Sequence, residues 1–238
     1  MKRLVSVIIP GYNEASVVAG TVSVVERTMR LLKRPFEILI VDDGSKDLTP
    51  VILERLAKKY KNLRFVSYKD GPSRRENLAK SFKLLRGGYV LLLDMDLSLD
   101  ISHLKDMLYW LEQGYGMVIV NRYHKQSHIR RHLKRYIVSK LYNAFIRLLF
   151  RTGYHDNICG FKAFKRDVIA KLVAQAGIDE TRKRSVFWDT QILILAVRNA
   201  VPIKEIPVCW TEGKSSALSF SKEISMLPYI VRFWLRKN

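Results

Sequence analysis

The chain has 238 residues, with 42 Lys and Arg against 22 Asp and Glu, giving a formal net charge of +20. At 48% hydrophobic and 11% aromatic it can fill a core, which excludes a disordered basic tail and a small stapled scaffold. Two cysteines, Cys159 and Cys209, are too few for a disulfide framework or a four-ligand zinc site and point to a reducing compartment.

The first 120 residues alternate short apolar runs with helical patterns. LVSVII (4–9), FEILIV (36–41), LRFVS (63–67), YVLLL (89–93) and MVIV (117–120) read as strands. Helical spacing over residues 14–33, 49–61, 73–86 and 101–113 predicts a helix after each of the first four. Thr49-Pro50 reads as an N-cap followed by proline at the first helical position, and Gly87-Gly88 as a stop. Near-continuous apolar strands separated by helices argue an α/β fold: a mostly parallel, Rossmann-like central sheet with helices on both faces. In such sheets ligands bind beyond the carboxyl ends of the strands.

Three of those ends are polar. VIIPGYNE places Pro10, Tyr12, Asn13 and Glu14 after the first strand, VDDGSKD places Asp42, Asp43 and Asp47 after the second, and LLLDMDLSLD places Asp94, Asp96, Ser98 and Asp100 after the fourth. A single Asp at a strand end is usually a turn former; acidic clusters at three ends of one sheet edge argue for a site. Asp94 and Asp96, two apart, share a side in an extended segment. Close carboxylates repel unless a cation lies between them, and Mg²⁺ or Mn²⁺ typically uses one or two carboxylates plus phosphate oxygens. Asp100 reads as a cap for the helix from Ile101.

No GxxxxGK[ST] loop occurs and no GxGxxG follows the first strand, which disfavours P-loop NTPases and dinucleotide cofactors. The five histidines form no HExxH. The basic charge suits a nucleic-acid binder, but no helix-turn-helix, zinc-finger or aromatic RNA-binding signature occurs, and an acidic rim would repel phosphate without a metal; no nucleic acid is expected as partner.

At these residues the chain resembles the family 2 glycosyltransferases of GT-A fold, through PGYNE, VDDGSKD and DMD in that order. Within that family VNRY (120–123), HDNICGFKAF (155–164), FWDTQILI (187–194) and IKEIPVCW (203–210) are similar to elements of dolichyl- and polyprenyl-phosphate mannose and glucose synthases. The resemblance spans roughly residues 3–215. It implies a GT-A catalytic domain over residues 1–215, followed by a basic amphipathic helix over 216–238. The implied activity is metal-dependent, inverting transfer of glucose or mannose from UDP-glucose or GDP-mannose to a polyprenyl phosphate. Position by position, it implies that Pro10, Tyr12, Glu14 and Asp42 or Asp43 line the nucleotide. Asp94 and Asp96, with Ser98, would hold Mg²⁺ or Mn²⁺ on the diphosphate. Arg122 would sit near the phosphates, Arg135 and Ser139 would bind the lipid phosphate, and Asp156, Gly160 and Phe161 would shape the acceptor side.

Two positions depart from the family pattern: Asp70-Gly71-Pro72-Ser73-Arg74-Arg75 stands where an N-x-G-x-G loop is common, and Ser98 where the mannose branch often has Gln. The CGFK and FWDTQ details lean towards the glucose side. The QxxRW element of processive synthases is absent, so polymerisation is not expected. A soluble or glycan hydroxyl acceptor remains the alternative.

The charge is uneven: residues 122–171 hold 13 basic and two acidic residues. Within them, HLKRYIVSKLYNAFIRLLFR (132–151) sets Leu133, Ile137, Leu141, Ala144, Phe145 and Leu148 on one helical face, with Lys134, Lys140 and Arg151 flanking it. With the aromatic, basic end of 221–237, this predicts peripheral docking on an anionic membrane surface. No run reaches the roughly 18 apolar residues of a spanning helix, so the expected location is the cytoplasmic face of a membrane without a transmembrane segment.

Overall fold

A computed structural model describes residues 3–211 and 226–236. The five expected strands are present as β1 (Val5–Gly11), β2 (Phe36–Asp42), β3 (Leu63–Ser67), β4 (Tyr89–Leu92) and β5 (Met117–Val120). Four more follow: β6 (His128–Arg130), β7 (Lys162–Lys165), β8 (Ile203–Ile206) and β9 (Cys209–Thr211). The main sheet runs β3-β2-β1-β4-β7-β5-β8, and only β7 lies antiparallel to its neighbours β4 and β5. The expectation of a mostly parallel sheet covered on both faces holds.

The coverage follows from the pleat. Val5, Val7 and Ile9 of β1 enter one core, whereas Ile8 enters the opposite one, and the same alternation sorts Leu91 from Val90 and Leu92. The first core is closed by α1 (Val18–Leu31), α2 (Thr49–Lys59) and α4 (Leu104–Glu112). The second is closed by α3 (Glu76–Ser81), α6 (Arg166–Ala176) and α7 (Phe187–Arg198). Helix α7 is buried almost all round from Phe187 to Ala196, as befits a helix packed on both sides. Its outer side meets α5 (Leu133–Phe150) and α8 (Leu227–Leu235) in a third cluster of Ile146, Phe150, Phe187, Ile194, Met226 and Ile230.

Two local expectations change. Thr49 is the first residue of α2, and Asp47 caps it by accepting from the Thr49 amide at 2.9 Å and its hydroxyl at 2.5 Å. The helix expected over 73–86 shrinks to α3 and a 3-10 turn at Phe82–Leu84, because residues 71–75 fold back onto Asp43. Of the expected C-terminal helix, α8 is present; residues 212–225 and 237–238 lie outside the described residues.

The sheet also creates an opening. β1 and β4 pair only as far as Ile8 and Leu92, while β1 continues beside β2 to Gly11 and Asp42. Pro10, which has no N–H to give, sits in that unpaired stretch towards β4. The chain changes direction of strand order at the same place, which is where open α/β sheets hold ligands.

Candidate active site

The loops after β1 and β2 are stitched together by short polar bonds. The Asn13 amide donates to the Ser45 hydroxyl at 2.8 Å, the Lys46 amide to Asn13 Oδ1 at 2.8 Å, and the Glu14 amide to Thr49 Oγ1 at 2.8 Å. Asn13 adopts a left-handed backbone (φ 58°), which asparagine tolerates well. Gly11 packs against the loop after β4, where a Cβ would come within 2.8 Å of the Met95 methyl. The Thr21 hydroxyl of α1 donates to the Met95 carbonyl at 2.7 Å and fixes that loop from below. Tyr12 is exposed at the rim.

Asp42 and Asp43 differ sharply. Asp42 accepts the Ser45 amide at 3.0 Å and shapes its own turn. Asp43 accepts from the Ser73 amide and hydroxyl, the Arg74 amide and the Asn77 side chain, all at 2.7 or 2.8 Å. Four donors occupy the roughly four acceptor positions of a carboxylate. Of the two aspartates named for the nucleotide, Asp43 thus organises the 71–77 loop, because no lone pair is left for a ribose.

The DMD segment also departs from its expected geometry. β4 ends at Leu92, and Asp94 to Leu97 form a turn in which the Leu97 amide reaches the Asp94 carbonyl at 3.3 Å and Leu97 has φ 44°. The side chains are aimed by neighbours instead. Asp96 accepts the Ser98 amide at 3.1 Å and the Ser98 hydroxyl at 2.6 Å, so Ser98 orients Asp96. Asp94 receives Arg75 Nη2 at 3.3 Å. Gly160 abuts Asp94: a Cβ there would fall 2.5 Å from Oδ2. The segment after DMD is clamped to β9, the Asp100 amide donating to the Cys209 carbonyl and the Thr211 amide to the Ser98 carbonyl. Asp100 caps the following turn through the Ser102 amide, as expected.

The electrostatics of this rim favour a cation. Burial raises the Asp94 carboxyl above its usual range, with Asp189 and Asp96 adding to the rise and Arg75 opposing it. Glu14 is raised too, by burial and then by Asp96 and Asp47. Among the described residues no group of three or more His, Cys, Asp or Glu forms a closed cage. A partly exposed carboxylate pair of which only Asp94 is met by a guanidinium fits a hard divalent ion that shares its remaining positions with phosphate oxygens.

Arg122, expected near the phosphates, has its charge matched by a buried carboxylate. Its Nε and Nη2 grip Asp156 at 2.7 and 2.9 Å, its backbone amide adds a third bond at 3.1 Å, and its guanidinium lies 5.0 Å from the Trp210 ring centre. Burial works against both charges, yet Asp156 lifts Arg122 and Arg122 holds Asp156 below the usual carboxylate range. In this structure Arg122 and Asp156 form a buried fork rather than an open phosphate contact, because the carboxylate uses the guanidinium's bidentate edge. Phe161 also meets Trp210, in an edge-to-face contact at 5.6 Å.

Ser139 faces inward from α5, where Tyr123 Oη lies 2.6 Å away and Arg131 Nη1 donates at 2.7 Å. Arg135 is one turn before it on the same helix and half-buried. Four residues of this region were not named as site residues from the sequence: Arg75, Asp189, Lys162 and Arg131. Arg75 Nε donates to Asp189 at 2.8 Å, and Lys162 Nζ to the same carboxylate at 3.2 Å. In the sequence Arg75 shows as half of the Arg74-Arg75 pair, a candidate for diphosphate contact, standing where a glycine loop is common in the family.

Against known proteins, the family model described as Glycosyl transferase family 2 matches residues 6–173. The chain belongs to glycosyl transferase family 2. It is 32% identical over 234 residues to glycosyltransferase AglD of Haloferax volcanii, covering 97% of this chain but 37% of that protein. It is 30% identical to the dolichyl-phosphate beta-glucosyltransferase of Dictyostelium discoideum, covering 97% and 74%, and 28% identical to the polyprenol monophosphomannose synthase of Mycolicibacterium smegmatis, covering 87% and 77%. Among solved structures it resembles the mannosyltransferase PcManGT of Pyrobaculum calidifontis, in complex with GDP-Man and Mn²⁺, with TM-score 0.63, 20% identity, and coverage of 100% and 66%. Glucosyl-3-phosphoglycerate synthase of Mycobacterium tuberculosis, with Mn²⁺ and UDP-glucose, gives TM-score 0.66, 17% identity, and coverage of 98% and 78%. The fold of this family 2 chain is GT-A.

Proposed function

We propose that this family 2 glycosyltransferase moves a hexose, glucose or mannose, from a nucleotide diphosphate sugar to a polyprenyl phosphate at a membrane surface, with inversion at the anomeric carbon. The observation that carries the reading is the ring of polar strand ends at the β1–β4 opening, with Asp94 and Asp96 at its centre. Relatives that support it include dolichyl-phosphate glucosyltransferases and a polyprenol monophosphomannose synthase.

Pro10, Tyr12, Glu14 and Asp42 would border the nucleotide. Asp94 and Asp96 would hold Mg²⁺ or Mn²⁺, which when bound supplies Lewis-acid neutralisation of the leaving diphosphate. Ser98 keeps Asp96 aimed. A phosphate acceptor is an oxyanion at neutral pH and needs positioning more than deprotonation, so a general base is dispensable. Arg131, Arg135 and Ser139 on and beside α5 are the groups to position it, and the Arg122–Asp156 fork holds the floor beneath them through Tyr123 and Trp210.

The membrane part rests on α5. Its inward side carries Ser139 and Asn143 beside Ile146 and Phe150, while Leu133, Ile137, Leu141, Phe145 and Leu148 point to solvent, Leu148 at 83% exposure. Ile146 and Phe150 join this chain's own core, but the outward apolar stripe has no partner in it among the described residues. α8 adds exposed Leu227, Val231, Trp234 and Leu235, and a cavity of about 340 Å³ lined by Phe145, Leu148, Leu149, Arg151 and Trp234 joins the two helices. No described helix is long and apolar enough to cross a membrane. An apolar patch on helices that also carry or adjoin exposed Lys134, Lys140, Arg151 and Arg232 fits the interface of an anionic bilayer.

Incubation with labelled UDP-glucose or GDP-mannose, a polyprenyl phosphate and Mn²⁺ tests the activity. Label extracted into organic solvent is expected, and lost in Asp96→Asn with the fold intact; label appearing only on a soluble hydroxyl acceptor overturns the reading.

A further inference from the structure

Among the described residues the Arg75 guanidinium reaches Asp94, and it spans two carboxylates of unequal character. Asp189, on the first turn of α7, is 1% exposed and receives Nε at 2.8 Å. Asp94, 30% exposed, receives Nη2 at the longer 3.3 Å. Asp189 is also held by Lys162 at 3.2 Å. The short buried arm therefore anchors the guanidinium on α7, and the long arm rests on the carboxylate that faces the opening. The charges acting on Asp94 include Arg75 on one side and Asp189 and Asp96 on the other, with Lys162 pairing Asp189. One cation on Asp94 is already present, and it belongs to the protein.

We propose that Arg75 is a positioning residue that gates metal loading. With no nucleotide bound, it holds Asp94 in the place a divalent ion would take, so the naked ion binds weakly. A nucleotide diphosphate brings the negative charge that offsets Arg75 and lets ion and donor load together. The inference rests on reading Asp94 and Asp96 as the metal carboxylates. Two physical effects support it. A fixed positive charge within about 4–6 Å of a divalent ion is strongly unfavourable in a partly buried site, worth roughly tenfold or more in affinity. A guanidinium can also bridge two carboxylates in a way one ammonium cannot, so the hold on Asp94 depends on Arg itself.

The test is the binding of Mn²⁺ alone, followed by the electron paramagnetic resonance signal of the free ion, in the full chain and in Arg75→Gln, Arg75→Lys and Asp96→Asn. Arg75→Gln is expected to bind Mn²⁺ about tenfold tighter than wild type. Arg75→Lys, which keeps a charge near Asp189 but releases Asp94, is expected to bind it a few-fold tighter and serves if Arg75→Gln does not fold. Adding UDP or GDP should improve Mn²⁺ affinity more in wild type than in either variant. Equal or weaker Mn²⁺ binding in both Arg75 variants, with binding lost in Asp96→Asn, overturns the gate and leaves the metal site standing. Unchanged Mn²⁺ binding in Asp96→Asn removes the metal reading, and the gate with it.

Discussion

Replacing Asp156 by asparagine tests the buried fork it forms with Arg122. The carboxylate is fully enclosed, its side chain 0% exposed, and takes three hydrogen bonds from Arg122, which is itself only 6% exposed. The substitution would leave the guanidinium buried beside a neutral amide and turn one acceptor into a donor. Breaking a buried pair by removing one partner costs about 3–5 kcal/mol, a large share of the roughly 5–15 kcal/mol that holds a domain folded. For a chain of this size that is a fall in Tm of about 10 °C. Urea unfolding followed by circular dichroism measures it directly. The pH dependence has a definite sign. Asp156 is held below its ordinary 3.8, so its contribution is complete above that value and fades as pH falls through the lowered folded one. The gap between wild type and Asp156→Asn should therefore stay constant from neutral pH down to about 4 and shrink below it. A loss under about 1 kcal/mol, or a gap that shrinks as pH rises, refutes the fork.

Three further outcomes follow from the site and its surface. Gly160→Ala places a methyl 2.5 Å from Asp94 Oδ2 and should cut turnover about a hundredfold while circular dichroism stays unchanged; near-wild-type turnover would mean Asp94 is not held there. Glu14 has its pKa raised, so its charged form weighs against the fold, a burden that appears as pH rises through the raised value. Glu14→Gln is thus expected to melt above wild type at pH 7, with the gap closing on acidification; thermal melts showing the reverse trend contradict the repulsion from Asp96 and Asp47. Leu141→Glu with Leu148→Glu, at the two most outward positions on the middle and end of α5, should abolish sedimentation with anionic vesicles at unchanged Tm, and wild-type binding should weaken with salt. Unaltered vesicle binding in the double variant would place the membrane contact elsewhere.

The sheet was legible because its strands are apolar on both faces: LVSVII, FEILIV and YVLLL need cover on two sides, and only an α/β sheet provides it. β7 was not legible, since KAFK lacks the length and the apolar run of a central strand and is specified by pairing with β4 and β5. The acidic strand ends were legible as a set, but not the use of each member. Asp43 reads like Asp42 in the sequence, and only the folded 71–77 loop shows which of the two its donors saturate. Arg122 reads like a phosphate ligand, and its partner lies 34 residues away at Asp156. The stripe on α5 was visible as periodicity, which cannot tell an inward face from an outward one. The polar residues Ser139 and Asn143 on the opposite side carried that information, since their hydrogen bonds to Tyr123 and Asn157 need an interior.

The central proposal is that Arg131, Arg135 and Ser139 position a phosphate oxyanion and not a hydroxyl. Its most direct test compares a polyprenyl phosphate with the corresponding polyprenol in the same vesicles, with the same labelled nucleotide sugar and Mn²⁺. Transfer to the phosphate alone, giving a product whose anomeric configuration is inverted by NMR, is the predicted result. Transfer to the polyprenol at a comparable rate, or to a soluble glycan in preference to either, would contradict it.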